Sequence, residues 1–116
     1  MHELPILRSI VDVVLRYAED ARATRVVAVD LEVGELRDLD ETWMQRYFDF
    51  VTAGTTAEAA TLRVRRGKAL FLCRACGETF SFDLRSGDGV ACASCTSTEI
   101  ELASGNELRI ESIDVI

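Results

Sequence analysis

Four cysteines fall into two pairs, Cys73-Arg-Ala-Cys76 and Cys92-Ala-Ser-Cys95, with fifteen residues between the pairs. Two thiolates spaced this closely can form a tight knuckle on one side of a metal ion, and two knuckles complete a tetrahedron around zinc. Such a site is closed and structural, because protein fills every coordination position. A second donor-rich stretch is Met1-His2-Glu3, which contains the chain's single histidine. There the α-amine of Met1, the amide nitrogen joining Met1 to His2 and the imidazole of His2 can bind one ion through fused chelate rings. With a fourth donor the set is planar and nitrogen-rich, the tetragonal geometry that suits Ni(II) or Cu(II). Glu3 is the nearest extra donor and Asp40 a more distant one. Bulky His2 should also protect Met1, since the initiator is normally trimmed only before a small second residue. The plainer reading of the same residues is an exposed His2 without a role.

Composition narrows the function classes. A length of 116 residues with 48% hydrophobic content suits one compact domain, or a small domain carrying a smaller insert. The net charge of −7 gives no basic footprint for a nucleic-acid backbone. The cysteine-bearing segment is not basic either: Lys68, Arg74 and Arg85 face Glu78, Asp83, Asp88, Glu99 and Glu101. No apolar run is long enough for a membrane span, and the amino terminus lacks a secretory pattern, so a cytoplasmic protein is expected. In that compartment two CxxC pairs favour metal over disulfides. No nucleophile–base pair or phosphate-cradling glycine loop is visible, which argues against an enzyme. The acidic clusters Glu19-Asp20 and Asp38 to Glu41 read as solvated faces and a helix start.

The elements that must position these donors alternate between helical and strand periods. From Leu4 to about Arg22, the spacing of Leu7, Ile10, Val11, Val14, Leu15 and Ala18 predicts an amphipathic helix with Pro5 in its first turn. Arg25 to Val33 alternates, with Val27, Val29, Leu31 and Val33 inward and Asp30 and Glu32 outward, which predicts a strand ended by Gly34. A second helix starts at Asp38 or Asp40 and runs to about Ala53, with Trp43, Met44, Tyr47, Phe48 and Val51 as its buried stripe and Gly54 as its stop. Thr61 to Arg65 is a second strand with Leu62 and Val64 inward.

The metal-binding segment follows. Ala69 to Leu72 and Thr79 to Phe82 flank the first knuckle as a hairpin, Ser86 to Gly89 crosses between knuckles, and Thr98 to Leu102 adds a short strand. So little apolar surface requires the metal for stability. The closing strand, Asn106 to Ile116, changes phase near Glu111 and Ser112, which suggests a bulge or edge bend. Its return to the first sheet would make the metal module an insert. The expected fold is therefore α+β: two helices packed on a small, mostly antiparallel sheet, with an inserted zinc-ribbon-like β module. Residues 1–67 plus 104–116 form the first domain, and 68–103 the zinc-binding domain.

The opening Met1-His2-Glu3-Leu4, the strand end Val33-Gly34-Glu35-Leu36, the two CxxC pairs and the closing run Ser104-Gly-Asn-Glu-Leu-Arg109 to Ile113-Asp-Val115 resemble the HypA/HybF family of hydrogenase nickel-incorporation proteins. The resemblance covers the whole chain, and generic zinc ribbons share only the cysteines. It implies a nickel metallochaperone with a nickel-binding α/β domain and an inserted zinc domain. Nickel would be held at Met1, His2 and Glu3, with His2 the essential side chain and Asp40 a nearby participant. Structural zinc would be held by Cys73, Cys76, Cys92 and Cys95. The implied role is delivery of Ni(II), as transient cargo, during maturation of [NiFe]-hydrogenase, with a HypB-type GTPase and the immature hydrogenase large subunit as partners. Some members of the family also serve urease. Monomer and homodimer are both compatible with the sequence. This chain has no histidines beside its cysteines, which departs from members that carry them. The rival readings are a zinc-ribbon protein-interaction module without a nickel role, and a thiol redox protein.

Overall fold

The computed structural model describes residues 3–81 and 91–116, with Glu3 described in its backbone only. The expected Ser86–Gly89 crossing lies outside the described residues. The chain forms α1 (Glu3–Asp20), β1 (Val26–Gly34), α2 (Glu41–Thr52), β2 (Thr61–Gly67), β3 (Leu70–Cys73), β4 (Thr79–Phe80), β5 (Ile100–Ser104) and β6 (Leu108–Val115). It divides into two compact units, one of 1–32, 38–65 and 108–116, the other of 33–37 and 66–107.

In the first unit α1 packs against α2 and touches β6. Leu7, Ile10, Val11, Val14 and Ala18 are buried, as the helical spacing predicts. The helix stops two residues before Arg22. Arg22 takes a left-handed φ of 55°, while the Ala23 amide donates to Ala18 O and the Arg22 amide to Glu19 O. These crossed bonds satisfy the last carbonyls of the helix in the arrangement that glycine usually occupies.

Asp40 begins α2 from an extended conformation, and its Oδ1 accepts the Trp43 amide at 3.0 Å. One of the orphan donors of the first turn is thereby satisfied. The buried stripe differs from expectation. Met44, Phe48 and Thr52 are buried at spacing i, i+4, i+8, whereas Trp43 is 45% exposed and stacks on half-buried Tyr47 with ring centroids 4.9 Å apart. Thr52 fits this stripe because its hydroxyl donates to Phe48 O, which leaves no polar group unpaired. Gly54 follows with φ 81°, the left-handed stop expected there.

The strands of the first sheet are ordered β2-β1-β6. β2 runs parallel to β1: Arg63 bonds Asp30, Arg65 pairs with Glu32, and the Glu35 amide donates to Gly67 O, all at nearly the same offset. The connection through α2 is what permits that parallel pairing. β6 runs antiparallel to β1, because Ile116 pairs with Arg25 at one end and the Gly34 amide donates to Glu107 O at the other. Val29, Leu31 and Val33 are buried as expected, but Val27 is 40% exposed while Val26 and Ala28 are buried. A central strand has neighbours on both edges, so local cover overrides simple alternation at its start.

The row of this sheet expected to face outward is a charge lattice, in which Glu32 is itself buried among its arginine partners. Arg63 bonds Asp30 and Asp114, Arg65 bonds Glu111 and Glu32, and Arg109 pairs with Glu32. The Arg63 guanidinium and the Ser112 hydroxyl hold the Asp30 carboxyl below its usual range, and Arg65 does the same for Glu111. Consecutive Glu111 and Ser112 both reach this row, since Ser112 donates to Asp30 and Glu111 accepts from Arg65. That is the phase change expected in the closing strand.

The second unit contains the antiparallel sheet β4-β3-β5, with Phe71 opposite Phe80 and Leu102, and Cys73 opposite Ile100. The hairpin around the first knuckle is thus present. The later strand starts at Ile100, two residues after the expected Thr98.

Candidate metal centre

β3 delivers Cys73 to the end of a strand, and the chain then turns back on itself. The Gly77 amide donates to Cys73 O at 2.8 Å, and the Cys73 amide to Glu78 O at 2.8 Å. The second pair repeats this wiring. The Thr96 amide donates to Cys92 O at 2.9 Å, and the Cys92 amide to Ser97 O at 2.9 Å. In each knuckle the residue after the second cysteine is left-handed: Gly77 at φ 80° and Thr96 at φ 61°. The leading cysteines, Cys73 and Cys92, are buried, and the trailing ones, Cys76 and Cys95, are exposed. The two knuckles are therefore near-copies facing each other.

All four sulfurs lie within 4.8 Å of one another. Cys73 Sγ is 3.6 Å from Cys95 Sγ, and Cys76 Sγ is 3.6 Å from Cys92 Sγ. Zn–S bonds of about 2.3 Å in a tetrahedron require S–S edges of about 3.8 Å, so the cluster fits zinc closely. A disulfide requires about 2.05 Å, far below either separation. The crowding also separates the thiols electrically. Backbone amides of Cys95 and Ser94 draw the Cys92 thiol down to about 7. The Glu78 amide favours the Cys76 thiolate, but partial desolvation and the surrounding sulfurs outweigh it and push that thiol up to about 12. A divalent ion replaces those shared protons and stabilises all four thiolates together. The donor set, four sulfurs without histidine, is the soft closed set of a structural zinc site.

The structure thus brings together all four cysteines expected from their spacing. Met1, His2 and the Glu3 side chain lie outside the described residues. Asp40 is described, and its carboxylate caps α2 through Trp43. Spacing did not point to the backbone wiring of the knuckles. Gly77 signals one left-handed turn, but Thr96 at the matching place does not.

Among the described residues no helix is long and apolar enough to cross a membrane. Residues 1–115 match the model of a family described as hydrogenase/urease nickel incorporation, metallochaperone, hypA. A hydrogenase maturation factor HypA from Dehalococcoides mccartyi is 35% identical over 116 residues, covering 99% of this chain and 94% of the relative. The hydrogenase maturation factor HypA of Rhizobium leguminosarum bv. viciae is 33% identical, with both chains fully covered. The solution structure of the nickel metallochaperone HypA from Helicobacter pylori shares the fold, with a TM-score of 0.68 at 23% identity over 100% of this chain and 98% of that one. A second solution structure of a HypA protein gives a TM-score of 0.78 at 22% identity, over 100% and 97% of the two chains. The chain belongs to the HypA family of nickel metallochaperones that act in hydrogenase maturation.

Proposed function

We propose that this chain takes up Ni(II) at Met1, His2 and Glu3 and passes it on by ligand exchange, with zinc held separately at Cys73, Cys76, Cys92 and Cys95. The observation that carries this reading is the closed cysteine cluster. With the four thiolates facing one another, nitrogen donation to cargo falls to the chain's single histidine and the amine beside it. The division of labour follows the two domains expected from sequence, 1–67 plus 104–116 for nickel and 68–103 for zinc. Asp40 is a nearby participant, with its carboxylate held at the start of α2 by the Trp43 amide on Oδ1.

The protein acts as a carrier rather than an enzyme. An open terminal site lets an incoming ligand replace donors one at a time, whereas a tetrathiolate keeps its zinc during the exchange. The partners that complete this role are a HypB-type GTPase, which would receive or gate the nickel, and the immature [NiFe]-hydrogenase large subunit as final recipient. The setting is cytoplasmic.

Calorimetry with Ni(II) on untagged, zinc-loaded protein tests the terminal site. His2→Ala, and separately one residue added before Met1, should each abolish tight binding. Unchanged binding in both would place nickel elsewhere. Because the imidazole must be neutral to bind, affinity is full above the histidine range and falls as pH drops through about 6.5. A flat profile between neutral and mildly acidic pH would count against His2.

A further inference from the structure

Two motifs outside both metal sites, Val33-Gly34-Glu35-Leu36 and the Ser104 to Glu107 part of the closing run, meet within the second unit. Three consecutive amides of the first, and that of Arg37 after it, are bonded: Gly34 to Glu107 O at 2.8 Å, Glu35 to Gly67 O at 2.7 Å, Leu36 to Gly105 O at 2.9 Å and Arg37 to Gly34 O at 3.0 Å. Side chains reinforce the crossing. The Glu35 carboxylate accepts the Ala69 amide, the Glu107 carboxylate accepts the Gly105 amide, and Arg37 Nε donates to Asn106 O at 3.1 Å. The backbones approach so closely that a Cβ on Gly34 would sit 2.0 Å from Gly105 O. Gly105 has φ 119°, and a Cβ there would meet Ala69 Cα at 2.6 Å. Only glycine fits at either position.

Among the described residues of the second unit, the buried apolar side chains are Val33, Ala69, Cys73 and Cys92. Two of these are metal ligands, and the other two lie at the crossing. β3 and β5 join the two ends: their pairing runs from Leu70 with Ser104, beside the crossing, to Cys73 with Ile100, at the sulfurs. So small an apolar core cannot hold either end alone.

We propose that Val33–Arg37 is a strap belonging to the zinc-dependent folding unit, ordered by the cysteine cluster through β3 and β5 and released when the metal leaves. The proposal rests on the zinc reading of the cluster. The strap runs directly into Asp38 and the Asp40 cap, so the metal state of the cysteines reaches, through the chain, the segment that enters α2.

Hydrogen exchange on the full chain, with and without zinc, tests the strap, with the zinc-to-protein ratio measured on the same samples. On zinc removal the amides of Gly34, Glu35 and Leu36 should exchange at least about a hundredfold faster, together with those of Cys73 and Cys92, while Val14 and Leu31 stay protected. Retained protection at Gly34 to Leu36 after zinc has left would overturn the strap alone. Equal loss at Val14 and Leu31 would also overturn it, by showing a single cooperative unit. A chain that binds no zinc would overturn the metal reading and the strap together. In the reciprocal arm, Gly34→Ala should release zinc to a chelator about tenfold faster, the effect of losing one or two net hydrogen bonds. Release at the wild-type rate would overturn the coupling.

Discussion

The two units of this molecule reach order by different means. The first buries Leu7, Val14, Val29, Leu31, Met44 and Phe48 almost completely, the pattern of a core held by apolar burial. The second has no comparable core among its described residues and depends on four sulfurs, paired backbone turns and a glycine crossing. Oily burial tolerates loss of one contact at a proportionate cost. A coordination shell does not, since a missing ligand changes the binding constant of the whole site.

The sharpest way to break this comparison is a pair of substitutions. Cys73→Ser should empty the cluster and remove exchange protection throughout β3, β4 and β5, while the helical circular dichroism of α1 and α2 persists. Phe48→Ala should instead cost about 3–5 kcal/mol of stability in the helical unit, with the zinc content of the folded protein unchanged. If Phe48→Ala expelled zinc, or if Cys73→Ser melted the helices, the two units would share one source of stability.

A smaller effect separates two roles for Asp40. As a helix cap, Asp40→Ala should cost about 1 kcal/mol in thermal unfolding, whereas asparagine caps nearly as well as aspartate. Asp40→Asn should therefore leave the melting temperature nearly unchanged and weaken nickel by less than about tenfold, a loss under 1.4 kcal/mol. A larger loss of nickel in this variant would make the carboxylate a direct ligand.

The sequence made some of this legible and not the rest, for reasons that follow from range. The cysteine knuckles are local, so their spacing alone predicts sulfurs that the structure places within 4.8 Å of one another. The helical stripe of α1 is likewise local, and its expected residues are buried except Leu15, which is half-buried. Trp43 and Val27 depend on what neighbouring elements cover, and apolar type alone did not place them. Thr52 was invisible as a core residue because its polarity is cancelled by a bond to its own helix. The Gly34–Gly105 crossing joins residues far apart in the chain. Either glycine alone reads only as a turn, and the need for both appears when the backbones are seen in contact.

The smallest expected effect lies inside the metal unit, at a position where its two knuckles differ in backbone strain. Gly77 takes the left-handed conformation without cost, whereas Thr96 carries a β-branched side chain in it. Left-handed backbone costs a non-glycine residue about 1–2 kcal/mol. Part of that cost is offset, because glycine loses more conformational freedom on folding, and the Thr96 hydroxyl also contacts Cys95 O at 2.6 Å. Thr96→Gly should therefore retain a net gain of no more than about 1 kcal/mol. It should appear as zinc release a few-fold slower, with the melting of the helical unit unmoved. Arg22→Gly makes the matching change at the end of α1 and should move the helical transition, leaving zinc release as it was. If either variant shifted the other unit's transition, the two modes of stabilisation would be coupled beyond the strap. If Thr96→Gly accelerated zinc release, the hydroxyl contact, rather than the backbone conformation, would be what matters at the second knuckle.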